Sequence, residues 1–300
     1  MMNNNYGPEK FQAFAYLDYH NPTVSWNIAR GVFCSPSMVP EYAGDYGFLS
    51  TAMAGLLANS SRERLRSEIA IDIIRMLFFP NCVSRLSGFF VFDEIESIAR
   101  FWNCNSWKGH FSDEYLSDVG VASTKSTRLD SNWISKIVNI NGELLPNWYR
   151  NAISYWRGDI CVPLEPIWER IVEGHLTVWS NRVRECAVRE IFSVWPNTSN
   201  LLKYSCLCAA YGSPDGTIFP YMMRQEDNNL LITYIVRMKQ ANEKGFIDAI
   251  IKKANNMPFI DVQLGKVNHN SNVIGTPDLR GFNVEFLADE FTTFNLLLNH

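Results

Sequence analysis

The chain has no long apolar run. Its longest stretches, such as LITYIV at 231–236, fall far short of the ~20 residues that span a bilayer. The opening MMNNNYGPEK lacks the basic start and apolar core of a secretory signal, so a cytoplasmic location and no membrane partner are expected. Cysteine is sparse and odd in number, seven from Cys34 to Cys208, which argues against a disulfide framework and for reduced core thiols. The five histidines, at 20, 110, 175, 269 and 300, have no Cys or His partner at metal-ligand spacing, and no metal is expected. An excess of positive charge is also missing: 27 basic against 31 acidic residues leave a net charge of −4. Any nucleic acid must therefore be bound by a local patch. There is no internal repeat and no low-complexity linker.

What is present is enough apolar material for a large core: 47% of 300 residues are hydrophobic and 19% charged. NSSRERLRSEIAIDIIRMLFFP reads as a helix, with Ser60 and Glu63 in capping-box spacing, an apolar face from Leu65 to Leu77 and Pro80 as its stop. SGFFVFD is a buried strand followed at once by the helix DEIESIARFW. VGVASTKSTRLD reads as a strand, and LPNWYRNAISYWRG as a helix closed by Gly158. WERIV and HLTVW read as two short strands around a Glu173–Gly174 turn. RECAVREIFSVWP is helical to Pro196, KYSCLCAAYG, TIFPYMM and LLITYIVRM read as strands, and KGFIDAIIKKANN as a helix. Short strands joined mostly by brief turns predict an α+β fold with split, mostly antiparallel sheets. A boundary near residue 190 divides the chain into 1–190 and a C-terminal α/β extension, 191–300.

Glu169 is the most informative single residue. It stands in PIWERIV among bulky apolar neighbours, where a carboxylate is costly unless it is used or paired. Glu165, four positions earlier, is the other carboxylate in reach. LDYH at 17–20 places an imidazole at the end of a short apolar segment, directly before the helix-like VSWNIARG.

In order and residue character, LDYH with VSWNIARGV, then SGFFVFDEIESIARFW, then WERIVEGHLTVW resemble the catalytic core of the ADP-ribosyltransferases. The closest likeness is to the His/aromatic/Glu branch that includes diphtheria-type toxins and poly-ADP-ribose polymerases. The resemblance covers about residues 14–180, with 60–80 as a helical insertion. It implies NAD as co-substrate. His20, with Tyr19 beside it, would meet a ribose hydroxyl, and Phe90 with Phe101 or Trp102 would sandwich the nicotinamide. Glu169, before Ile171 and Val172, would be the catalytic carboxylate. His20 is followed by Asn-Pro-Thr where the polymerases have Gly and a small hydroxyl residue, and Phe90 replaces their usual tyrosine.

Arg85, whose planar fork matches phosphate oxygens, is the candidate for the pyrophosphate, with Ser84 and Ser87 as neighbouring donors. An acceptor platform is expected from Tyr155 and Trp156 with Arg150 and Arg157 interleaved, since bases stack on exposed aromatics flanked by cations. The function expected is mono-ADP-ribosyl transfer to a macromolecule, RNA ahead of protein, in a toxin or anti-phage effector with an antitoxin or chaperone partner. An NAD glycohydrolase and a catalytically inactive nucleotide-binding or partner-binding relative are the alternatives.

Overall fold

The computed structural model describes residues 4–104, 112–225, 229–254 and 275–286. The strands are β1 (Asn5–Tyr6), β2 (Glu9–Tyr16), β3 (Val32–Cys34), β4 (Phe89–Val91), β5 (Leu116–Asp130), β6 (Trp168–Val178), β7 (Ile218–Arg224), β8 (Leu230–Val236) and β9 (Val284–Phe286). The helices are α1 (Pro22–Arg30), α2 (Thr51–Ala58), α3 (Arg62–Phe78), α4 (Ile95–Cys104), α5 (Ile134–Ile137), α6 (Trp148–Arg157), α7 (Asn181–Val194), α8 (Ser199–Tyr211) and α9 (Lys244–Ala254). The result is a mixed α/β fold whose sheets are antiparallel throughout the described pairs.

β5 and β6 are the spine, paired from Val119↔Val178 to Asp130↔Trp168 with a register shift between Ser123 and Lys125. The shift divides the sheet. On one side β2 pairs with the first half of β5, and β3 with the last part of β6. On the other, β1 pairs with the end of β5, and β4 with Arg170–Val172 of β6. Reciprocal 2.8 Å backbone bonds between Phe14 and Phe92 tie β2 to β4, so the two half-sheets fold back on each other. Glu173 and Gly174 are thus not a turn. β6 is one continuous strand, and Gly174, at φ +147°, sits at the irregularity, where a Cβ would lie 2.2 Å from the Ala122 carbonyl oxygen. Only glycine fits that close backbone approach.

α1 is packed on every side: all nine of its residues are buried. Asn21 caps it by accepting from the Thr23 amide, Pro22 opens it, and Gly31 closes it in the left-handed region. The Trp26 indole donates to Gly216 O at 2.7 Å, and the Asn27 side-chain amide pairs with both Ile218 O and Ile218 N. Among the described residues the boundary expected at residue 190 has no counterpart. It falls inside α7, and one hydrophobic cluster runs from Ala13 through Trp26 and Leu176 to Ile232 and Phe286.

Three other expectations are corrected. KYSCLCAAYG lies in the helix α8, where Cys206 and Cys208 are both buried. β2 ends at Tyr16, so His20 lies in the turn before α1 and not at a strand end. The N-cap of α3 is Ser61, with no side-chain capping bond; the hydroxyl of Ser61 donates instead to Asn141 O. Among the described residues no helix is long and apolar enough to cross a membrane.

Candidate functional site

A cavity of about 180 Å3 opens between β2, α1, α2 and the Glu169 end of β6. Its walls are mainly apolar and aromatic, with Tyr16, Phe33, Phe89, Phe90, Phe92 and Phe101 among them. The polar groups that reach it include Asp18, Asn21, Arg64, Arg85 and Glu169. A few converging polar side chains in an apolar concavity are the usual form of a small-molecule site.

Glu169 enters this cavity because β6 runs into the core at its N-terminal end, opposite Leu129 of β5. Its side chain is 10% exposed. The Oε1 atom is held twice, accepting from the Tyr155 hydroxyl at 2.7 Å and from Arg85 Nη1 at 3.2 Å. Among the described residues no protein group donates to Oε2. One carboxylate oxygen is thus anchored and the other has no protein donor, on a residue that lines the cavity.

Behind Glu169 stands a closed ion network. Arg85 Nη1 also donates to the Tyr155 hydroxyl at 2.6 Å, and its Nε donates to Glu68 Oε2 at 2.9 Å. Arg64 donates to Glu68 Oε1 at 2.6 Å from the other side. Glu68 and Tyr155 have no exposed surface, and Arg64 and Arg85 are buried. Two guanidiniums therefore face two carboxylates, which is the condition for burying such charges at all. Burial alone would raise the Glu68 carboxyl, but Arg85 and Arg64 outweigh it and hold it at about 2. The Glu169 carboxyl goes the other way. Burial raises it, with Glu68 and Asp130 adding to the rise, and Arg85 and the Tyr155 hydroxyl compensate only in part. Burial also pushes the Tyr155 phenol well above its ordinary range.

The residues singled out in the sequence separate into two groups. Glu169, Arg85, Phe90 and Phe101 line one cavity, with the Arg85 guanidinium 4.9 Å above the Phe90 ring. His20 does not join them. Its backbone amide donates to Asp18, its ring packs on Tyr19 and Tyr115, and Nδ1 lies 3.8 Å from Glu190 with the side chain 57% exposed. The early end of β2 turns it outward, and its neighbours Asp18 and Asn21 line the cavity instead. Tyr19 is buried with its hydroxyl on Glu114. Trp102 points to solvent, one helical step away from Phe101. Ser87 is half-buried beside the cavity but not on its wall. Ser84 is engaged by Asp72 and the Leu86 amide.

Three expectations fall on physical grounds. Arg85 is not an open phosphate fork, because Glu68, Tyr155 and Glu169 already occupy it. Tyr155 and Trp156 are no stacking platform: both are fully buried, and the Trp156 indole donates to Ile71 O. Arg150 and Arg157 do lie on the surface of α6, beside Tyr149 and Asp159. Glu165 is 79% exposed and paired with Arg100, away from the cavity.

Glu68, Arg64, Asp18 and Asn21 were not legible as site residues. For Glu68 a signal existed, a carboxylate on the apolar face of α3 between Leu65 and Ile69, the same kind of anomaly that marked Glu169. Among the described residues no group of three or more His, Cys, Asp and Glu side chains is placed to hold a metal ion. No protein-family model matches the chain, and no curated protein matches it.

Proposed function

We propose that the Glu169 cavity binds NAD and that the chain is an ADP-ribosyltransferase acting on an intracellular macromolecule. The observation that carries this reading is the Glu169 carboxylate itself, on the wall of an aromatic-lined cavity, with Oε1 anchored by Tyr155 and Arg85 and Oε2 without a protein donor among the described residues. Transfer breaks the bond between nicotinamide and ribose C1′, the electron pair leaving with nicotinamide, and forms a bond from the acceptor to C1′. Positive charge builds on the ribose as the bond breaks. A preorganised carboxylate stabilises that charge. The free Oε2 accepts from a ribose hydroxyl, and the raised proton affinity of Glu169 suits it to take the proton of the acceptor nucleophile.

Phe90 and Phe101 offer flat apolar surface to the pyridine ring. Asn21 uses its carbonyl oxygen to cap α1; its side-chain NH2 and the second oxygen of Asp18 are the polar groups for the ribose hydroxyls. His20, Trp102 and Arg85 have no binding role in this reading. RNA is kept ahead of protein as acceptor on the exposed Arg150 and Arg157 alone, which can meet a phosphate backbone.

The test is incubation with adenine-labelled NAD in cell extract, followed by separate nuclease and protease digestion. Label fixed to a macromolecule and released by ribonuclease is the expected result. Release by protease instead makes the acceptor protein. Label recovered only as free ADP-ribose identifies a glycohydrolase, and intact NAD overturns the reading. For a toxin, growth arrest on expression relieved by Glu169→Gln is expected.

A further inference from the structure

The closed network behind Glu169 does more than neutralise buried charge. Arg85 and Tyr155 both reach the same carboxylate oxygen, and they come from separate parts of the fold: Arg85 from the loop before β4, Tyr155 from α6. Each is fixed in turn. Glu68 of α3 holds the Nε edge of Arg85. Tyr155 is locked by its fully buried ring, which lies 4.9 Å from that of Trp156. The hydroxyl of Tyr155 receives a hydrogen bond from Arg85, so its single proton must point at Glu169. That arrangement fixes Oε1 as the acceptor on a residue that lines the cavity, and leaves Oε2 with no protein donor among the described residues.

We propose that Tyr155 is a positioning residue, whose hydroxyl, oriented by Arg85 and Glu68, holds Glu169 in the one orientation that presents Oε2 to the substrate. This rests on Glu169 being the reactive carboxylate of the proposed function, but its first test needs no activity. Tyr155 does not line the cavity, so it acts through Glu169. Its hydrogen bond favours the ionised carboxylate, against the burial that disfavours it. Removing the hydroxyl should therefore leave Glu169 harder to ionise.

The variant is Tyr155→Phe, which keeps the buried ring and leaves Arg85 its bonds to Glu68 and Glu169. Glu169 is followed by NMR of glutamate carrying 13C at the side-chain carboxyl, assigned by the signal lost in Glu169→Gln. The expected result is a titration midpoint higher in Tyr155→Phe than in the wild type. An unchanged midpoint overturns the proposal, whatever the protein does with NAD. Should Tyr155→Phe fail to fold, 3,5-difluorotyrosine at position 155 retains ring and hydroxyl while making a stronger donor. The midpoint should then fall, and a midpoint that stays put again overturns the proposal.

A second arm measures nicotinamide release from NAD. Tyr155→Phe should lower kcat by about tenfold to a hundredfold, as expected for one hydrogen bond to a charged group. KM should change by less than about threefold, and the acid limb of the pH profile should move up with the midpoint. A rise in KM with kcat intact would show that Tyr155 supports binding and not the carboxylate. Absence of release from the wild-type protein would remove the NAD reading while leaving the titration result to stand by itself.

Discussion

Glu169 and Arg170 are adjacent on β6, and strand alternation sends them to opposite faces. Each is buried and meets a cluster of charges, closed from solvent around Glu169 and partly solvated around Arg170. On the Arg170 face, Arg170 and Arg128 meet Glu9, Asp93 and Glu94, and the Arg170 guanidinium lies over the rings of Tyr6 and Phe11. On the Glu169 face, Arg64 and Arg85 meet Glu68 and Glu169. The ingredients are the same, arginine forks on carboxylates beside aromatic rings. The difference lies in what faces empty space. None of the Arg170 group lines the cavity, whereas the Glu169 group presents one unbonded carboxylate oxygen to it. Burial of charge alone therefore does not mark a site; a charge group with one partner missing on the cavity side does.

The sharpest way to break this comparison is to open the better-sealed half of the Glu169 cluster. Glu68→Ala leaves Arg64 and Arg85 buried without their shared carboxylate and should cost about 3–5 kcal/mol in urea unfolding. A loss below about 1 kcal/mol would show that the network is not what holds α3 against β4. Arg170→Ala, with partners that are partly solvated, should cost less, about 2–3 kcal/mol. It should leave nicotinamide release by the folded fraction unchanged. Impaired release would show that both faces of β6 serve the site.

The two carboxylates of the Glu169 cluster also predict opposite pH signatures. Glu68 has a folded value of about 2, below its ordinary 4.5. Its contribution to stability is thus present above about 4.5 and is lost as the pH falls toward 2. Glu169 has a folded value above 4.5, so its contribution is present below 4.5 and is lost as the pH rises through that folded value. Glu169→Gln should accordingly raise Tm at neutral pH by about 1–3 °C and give no gain below pH 4.5. A lower Tm at neutral pH would show that the ionised carboxylate is a net structural asset. The smallest effect is expected for His20→Ala. Its ring is largely exposed, so the free energies of unfolding and of NAD binding should both stay within about 0.5 kcal/mol of the wild type. A large loss of NAD affinity would place the ligand over the α1 turn and outside the cavity.

Much of the architecture was legible because it is local. Gly158 closes α6 and Pro80 lies two residues past the end of α3, as the sequence suggests. β5 spans the alternating VGVASTKSTRLD. The misses have nonlocal causes. Glu173–Gly174 has the chemistry of a turn, yet pairing with β5 on both sides keeps β6 continuous and uses the glycine for a close approach. KYSCLCAAYG alternates as a strand would, and packing against α1 and α9 makes it a helix. Tyr155 and Trp156 could have been placed correctly, because with Ala152 they fall at i, i+3 and i+4, the spacing of a buried helix face. The Glu169 cluster could not be assembled in advance, since its members are separated by 17, 84 and 14 positions and meet only in the fold.

The central claim is that the free oxygen of Glu169 acts on NAD in this cavity. The measurement that tests it most directly is nicotinamide release by the purified protein and by Glu169→Gln, with NAD binding to both followed by thermal shift. The account predicts that both proteins bind NAD and that the variant releases nicotinamide more slowly than the wild type by at least about a hundredfold. Equal release by the two proteins, or no NAD binding to either, would contradict it.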